Sequence, residues 1–465
     1  MRTQRSGVER RWAAVAVLAS LATTLTLAVA APTGAAADDG ASKGNDPLPG
    51  YTISNPPLPP LATAEGLTRV LQGVHHHSAF TIEVPPRWNG ELAMYAHGFR
   101  GNSPVLTVDP MPPGLRETVI AEGYAWAASS YPVNGYDVGA AVEATRDLAM
   151  HVGALVRRPS AVYLVGASMG GHATVRSLEQ YPGFYAAAMP ICGVLGGSRV
   201  FDVIADQNLV AQALAGVSDY PPTPDYATED VPRIERALGI DGIFPGGEPR
   251  NDLGRQFRAI VVNRTGGTRP GADASFAAWY SVGFAFTLWN SLWPSGGGGS
   301  VAEDPLRLAT NVGTDYQPSR PIDVNASVLR IAPADPAARR SGALTASPRV
   351  EGRPRVPVLT LHDIGDLFVP LSMEQQYARD VAAHHRSGLL VQRAIRAAGH
   401  CEFSPVELGQ AWDDLVTWRR TGVRPGGDPV NDAAAVARDD FGCAYTDRSA
   451  YGSPGSRALF APCPG

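Results

Sequence analysis

Ser168 lies in Gly166-Ala167-Ser168-Met169-Gly170, after a short apolar run (161–165) and before a stretch of helical pattern (171–180). The spelling G-x-S-x-G recurs by chance in a chain with 50 glycines, so its place at a strand-to-helix turn is what gives it weight. Glycines on both sides let the backbone turn sharply without a steric clash. Such a turn lifts the hydroxyl to the carboxyl edge of a sheet, at a helix N-terminus whose amides favour developing negative charge. The competing reading is a glycine-rich turn with a helix-capping serine. The chemistry on offer is nucleophilic attack on a carbonyl.

A serine hydroxyl needs a base, and the base needs a group to orient it. Downstream, a predicted strand at 356–361 runs into His362-Asp363-Ile364-Gly365-Asp366-Leu367-Phe368-Val369-Pro370. A second, at 389–396, runs into Ala397-Ala398-Gly399-His400-Cys401. A carboxylate and a histidine thus follow the carboxyl ends of two strands, where α/β sheets collect their ligands. Ser168, Asp366 and His400 are the expected nucleophile, acid and base, with Asp363 as the minor alternative for the acid. Upstream, a strand at 91–96 ends in His97-Gly98-Phe99-Arg100-Gly101. The backbone amides of Phe99 and Met169 are the expected oxyanion donors. His97 is a weaker alternative for the base, because it precedes the serine and its glycine neighbour suits the oxyanion turn.

These residues need a scaffold of alternating strands and helices. Short apolar runs at 67–72, 79–84, 91–96, 123–128, 161–166, 185–190, 356–361 and 389–395 predict strands. Helical patterns lie at 138–156, 169–181, 371–384 and 405–420. The alternation predicts a mostly parallel central sheet flanked by helices, entered through an antiparallel pair. Between 193 and 355 the rhythm fails. There, helical patches at 202–214, 232–237 and 274–292 mix with prolines and a Gly-Gly-Gly-Gly-Ser run at 296–300. That interval is too long for a connecting loop and is expected to be a large, mainly helical cap inserted in the core. The expected organisation is an extended lead-in at 38–66, a core at 67–192 and 356–422, the cap at 193–355, and a tail at 423–465. A Cys443–Cys463 bridge would pin that tail.

Residues 1–37 read as a signal peptide. Arg2, Arg5, Arg10 and Arg11 precede an apolar run at 13–31 and the small residues Ala35-Ala36-Ala37, with cleavage expected near Ala37. No later segment stays apolar over about 18 residues, so no membrane association is expected after processing. The remaining composition is globular, at 44% hydrophobic with a net charge of −5, which excludes a basic nucleic-acid footprint. Lys43 is the single lysine against 38 arginines, a bias that looks like codon usage. Four cysteines in an exported chain permit two disulfides.

Taken together, H-G-F at 97–99, G-A-S-M-G-G at 166–171, D-x-x-V-P at 366–370 and G-H at 399–400 resemble the α/β-hydrolase serine esterases. Gly171 and Tyr181-Pro182-Gly183-Phe184-Tyr185 add a resemblance to secreted depolymerases, feruloyl esterases and prolyl-oligopeptidase-like members. The resemblance spans about 67–422 and leaves out the cap. One departure is Asp363, where the acid loop of the family often has glycine. Cys401 beside His400 resembles tannase-like esterases, in which a cysteine after the histidine pairs with one before the serine. Ala167 holds that second position here, so Cys192 becomes the expected partner of Cys401. The resemblance implies a cofactor-free, metal-free enzyme acting on a small-molecule or polymeric ester, with an amidase or peptidase on the same triad as the alternative. A non-catalytic binding protein on this fold is the third reading. Cap aromatics, Trp279 and Trp289 among them, are expected either in the cap core or with His97 around an apolar substrate. His75-His76-His77 is expected to be structural, because alternate residues of a strand face opposite ways.

Overall fold

The computed structural model of the 465-residue chain describes residues 44–281, 299–320, 322–452 and 455–463. The expected signal segment and Trp289 lie outside the described residues. Eight runs become strands: β1 (Arg69–His75), β2 (Ser78–Val84), β3 (Glu91–Ala96), β4 (Ala125–Ser129), β5 (Ala161–Ala167), β6 (Ala187–Ile191), β7 (Val358–Asp363) and β8 (Leu390–Ile395). They form one sheet in the order β8-β7-β6-β5-β3-β4-β2-β1. Only β2 runs against the others, pairing antiparallel with β1 and β4, while the remaining neighbours are parallel.

A parallel sheet is covered on both faces, and its strands are buried at nearly every position. Leu92, Met94 and Ala96 of β3 face helices α2 (Val138–Leu155) and α3 (Met169–Gln180), packing with Leu148, Val152, Val175 and Leu178. Ala93 and Tyr95 point the opposite way. They join Leu115 and Val119 of a short helix, α1 (Leu115–Ala121), and Leu408, Trp412 and Leu415 of a late helix, Pro405–Thr421. The lead-in is not merely extended: Thr52–Ile53 pairs with Val105–Leu106, and Ala62–Thr63 with Gly66–Leu67.

The register fixes where the strands end. Ala96 pairs with Gly166, Ala167 with Ile191, Ile191 with Leu361, and Asp363 with Ile395. The carboxyl ends of β3, β5, β6, β7 and β8 therefore lie side by side. Strand β7 runs two residues further than the apolar pattern implied, so His362 and Asp363 belong to the strand and not to the loop.

After β6 come α4 (Arg199–Ala215), α5 (Val231–Leu238), α6 (Asp252–Arg264) and α7 (Ala272–Trp279). Helix α6 was not expected. Its start is set by Asn251, whose side chain accepts from the Gly254 amide, and prolines and glycines on its N-terminal side hide the pattern in the sequence. Phe201 and Ile204 of α4, Phe257 of α6 and Phe276 of α7 share one apolar cluster with Met169, Leu367 and Val369. These helices thus pack directly over the strand ends. Helix α4 is buried on its polar side too, where Asp202 meets Arg339 at 2.6 Å and Asp206 meets Arg264 at 2.5 Å. Those pairings satisfy charges that would be costly to bury alone. No helix of the described residues is long and apolar enough to cross a membrane.

The turn between β5 and α3 is among the tightest approaches of the described residues. A Cβ on Gly170 would lie 2.0 Å from the carbonyl oxygen of Ala96, and one on Gly166 would lie 2.2 Å from that of Gly170. Gly170→Ala should therefore cost about 3 kcal/mol or more, read as a lower urea midpoint. Gly183→Ala has open space but φ +86, and should cost only about 1–2 kcal/mol. Equal losses for the two variants would show that the turn is not sterically limited.

Candidate functional site

The strand order, with β2 alone reversed, and the strand–turn–helix at Ser168 are those of the α/β-hydrolase fold. In such a sheet the groups that act lie where the strands end. Ser168 occupies the turn with φ +56, a strained value for a residue with a side chain. Its amide donates to the carbonyl of Ile191 on β6, and its own carbonyl accepts from the amides of Gly171 and Val194. The strain is held by the two strands and the helix around it.

His400 Nε2 lies 2.9 Å from Ser168 Oγ, and His400 Nδ1 lies 2.6 Å from Asp366 Oδ2. In the neutral ring, Nδ1–H donates to the carboxylate and Nε2 accepts from the serine hydroxyl. Asp366 is fully buried. Its other oxygen accepts from the amides of Phe368 and Val369, at 2.8 and 3.0 Å. A buried carboxylate with this many donors is held in one orientation.

Asp363 does not share this role. Its Oδ2 accepts from the amide of Glu402 at 2.7 Å. Burial, followed by the nearby Glu402 charge, pushes its carboxyl well above the usual range. It ties the end of β7 to the histidine loop. His97 is likewise not a base for Ser168. Its ring is buried and stacked on Tyr131, with Nδ1 2.8 Å from the carbonyl of Gly98 and Nε2 3.2 Å from that of Ser130. Burial pushes its pKa down to about 4. That placement also corrects the expectation that His97 lines a substrate pocket, since it supports the turn from beneath.

Gly98 runs against the nucleophile: a Cβ there would lie 3.1 Å from Ser168 Cβ. The next residue, Phe99, makes no hydrogen bond through its backbone N–H among the described residues. Met169 is the first residue of α3, and an N–H in that position has no acceptor within the helix. Met169 directly follows Ser168 and Phe99 directly follows Gly98, and neither amide has an acceptor among the described residues.

Trp279, expected either in the cap core or around an apolar substrate, is buried in the core, and its indole N–H finds acceptors inside the protein. Nε1 lies 3.1 Å from the carbonyl of Gly365 and 2.6 Å from that of Ala398. The indole thereby spans the Asp366 loop and the His400 loop. The structure joins Cys192, which follows β6, to Cys401, with Cα atoms 5.2 Å apart. It also joins Cys443 to Cys463. The tail contributes residues that the sequence did not point to. Ser456 Oγ accepts from the amides of Ala398 and Gly399, at 2.6 and 2.8 Å, and donates to Glu402 at 2.5 Å. Arg457 donates to the carbonyl of Glu402 and forks onto Glu407. Beneath the acid loop, Arg269 Nε donates to the carbonyl of Ile364. Burial pushes that guanidinium down to about 10. Nothing in the spacing of 269, 456 or 457 signals these contacts.

No family model matches the chain. A stretch of 88 residues is 34% identical to o-phthalyl amidase from Xanthobacter agilis, covering 19% of this chain and 19% of that protein. Among solved structures, the chain is similar to feruloyl esterase B from Aspergillus oryzae, with 15% identity, a TM-score of 0.42, and coverage of 79% of this chain and 83% of that one. It is also similar to a puromycin hydrolase, with 13% identity, a TM-score of 0.35, and coverage of 78% and 40%. Structural likenesses this distant say nothing about substrate.

Trp279→Phe removes the N–H shared by two buried carbonyls while keeping most of the ring volume. It should cost about 1–3 kcal/mol of stability, read from the urea midpoint. It should also broaden the strongly deshielded proton NMR signal of the His400–Asp366 hydrogen bond. An unchanged signal would mean that the indole only fills space.

Proposed function

We propose that this protein is an exported serine hydrolase that cleaves a carboxylic ester through an acyl-enzyme. The reading rests on one observation: the continuous hydrogen-bonded chain from Ser168 through His400 to the buried Asp366. In this reading Ser168 Oγ attacks the carbonyl carbon while His400 Nε2 takes its proton. Asp366 holds the ring and stabilises the imidazolium. The amides of Phe99 and Met169 hold the oxyanion that forms. As the tetrahedral intermediate collapses, His400 gives the proton to the departing alcohol oxygen, leaving the acyl group on Ser168. His400 then takes a proton from water, which attacks the acyl carbon and releases the acid, and the proton returns to Ser168. Export is supported by the two disulfides, which persist in oxidising compartments.

The same machinery serves amide bonds if His400 protonates an amine leaving group, and the stretch of likeness to an amidase supports that second reading. Matched p-nitrophenyl esters and p-nitroanilides carrying aliphatic and aromatic acyl groups separate the two. The esters should turn over, and Ser168→Ala should lower kcat by about 10⁴-fold or more. Asp366→Asn should cost about 10⁴-fold in kcat with the fold intact, because the ring loses its orienting charge. Faster anilide turnover would favour the amidase reading. A Ser168→Ala variant with unchanged activity would remove both.

A further inference from the structure

His75, His76 and His77 do not form a strand in which neighbours face apart. Strand β1 ends at His75 and β2 starts at Ser78, which leaves His76 and His77 as the two-residue turn of a hairpin. Both have positive φ, +44 and +66. This is the backbone of a type I′ turn, which favours Asn-Gly and strains larger side chains. The turn brings the side chains of His75 and His76 to one side, where Asp147 of α2 meets them. His75 Nε2 lies 3.0 Å from Asp147 Oδ2, and His76 Nδ1 contacts the same oxygen. His77 faces elsewhere, with Nδ1 2.7 Å from the carbonyl of Asp46.

One turn along α2, His151 stacks face to face on His75, with ring centroids 3.7 Å apart and planes within 8°. His76 also stacks on His75, with centroids 3.9 Å apart. Burial, followed by the charge of His151, lowers the pKa of His75, and burial chiefly lowers that of His151. The side chains of His75, His76 and Asp147 are only 18%, 31% and 27% exposed, so the cluster is shielded but open on one side.

We infer that His75, His76 and Asp147 form a binding site for a divalent cation of the zinc type, separate from the Ser168 site. Their ligand atoms all lie within 4.8 Å of one another, and about 3.3 Å is the edge of a tetrahedron with bonds near 2.05 Å. Two imidazoles and one carboxylate suit such an ion and leave a fourth position for solvent. His151 holds the plane of the His75 ring from behind. Bound metal would clamp the tip of the β1–β2 hairpin to α2, at the lateral edge of the sheet, with β2, β4 and β3 between β1 and β5, the strand that leads to Ser168.

The test is calorimetric titration of the chelator-stripped full chain with Zn²⁺ alone, alongside the visible spectrum with Co²⁺. One ion should bind per chain, with a Kd below about 10 µM, and Co²⁺ should give the intense absorption of four- or five-coordination. Asp147→Asn should weaken binding at least tenfold, as should His76→Ala, which lies on a partly exposed turn and leaves a second route if the helix variant folds poorly. His77→Ala should bind as the parent does. Absence of binding would overturn the site, as would a six-coordinate cobalt spectrum insensitive to His76→Ala, or equal loss in His77→Ala. The cluster would then be an ion pair between Asp147 and its histidines.

Discussion

Everything at the carboxyl edge of the sheet depends on one buried carboxylate. Asp366 is withdrawn from water, and an unpaired charge there would cost several kcal/mol. It is tolerable only because two amides of its own loop and the His400 ring point at it. The constraint works in both directions. The acid loop must keep its shape to solvate Asp366, and His400 must stay in place to complete that solvation. A histidine held this way presents its other nitrogen to Ser168 with little freedom to turn, which is the preorganisation that acyl transfer needs.

The rest of the structure can be read as support for that arrangement from four directions. The flush register of the parallel strands delivers the three loops to one edge. From above, Trp279 at the end of α7 bonds to the acid loop and the histidine loop at once. From the side, the Cys192–Cys401 bridge ties the residue after His400 to the strand next to the nucleophile. From the chain terminus, Ser456 and Arg457 hold the backbone at Ala398, Gly399 and Glu402. The tail and the inserted helices are therefore part of the site's rigidity, though neither supplies a group to the Ser168–His400–Asp366 chain.

The sequence carried the parts of this that are local. A strand, a sharp glycine turn and a helix are contiguous, so the elbow at Ser168 shows in the order of residue types, and its glycines are demanded by approaches as short as 2.0 Å. The eight strands were visible because a sheet buried on both faces needs unbroken apolar runs. Their ends were less visible: β7 extends to Asp363 because hydrogen bonding to β8 continues past the apolar run. Contacts between distant segments left no trace. An aromatic in a cap reads as core or as apolar lining until the acceptors of its N–H are known, so the two loops that Trp279 joins do not show in the sequence. Strand alternation sets the neighbouring histidines apart, a rule that fails once the backbone turns with positive φ at His76 and His77. Their acidic partner lies 71 residues away from His76, beyond any spacing pattern.

The central claim is that Ser168 is made nucleophilic by a histidine that a buried carboxylate holds in place. A fluorophosphonate is attacked by such a serine and stays attached, so the direct measurement is intact mass followed by peptide mapping after brief exposure. One adduct per chain, on the peptide carrying Ser168 and formed far more slowly in His400→Ala, is the result predicted. Labelling at another residue, no labelling, or equal rates with and without the His400 ring would contradict the account.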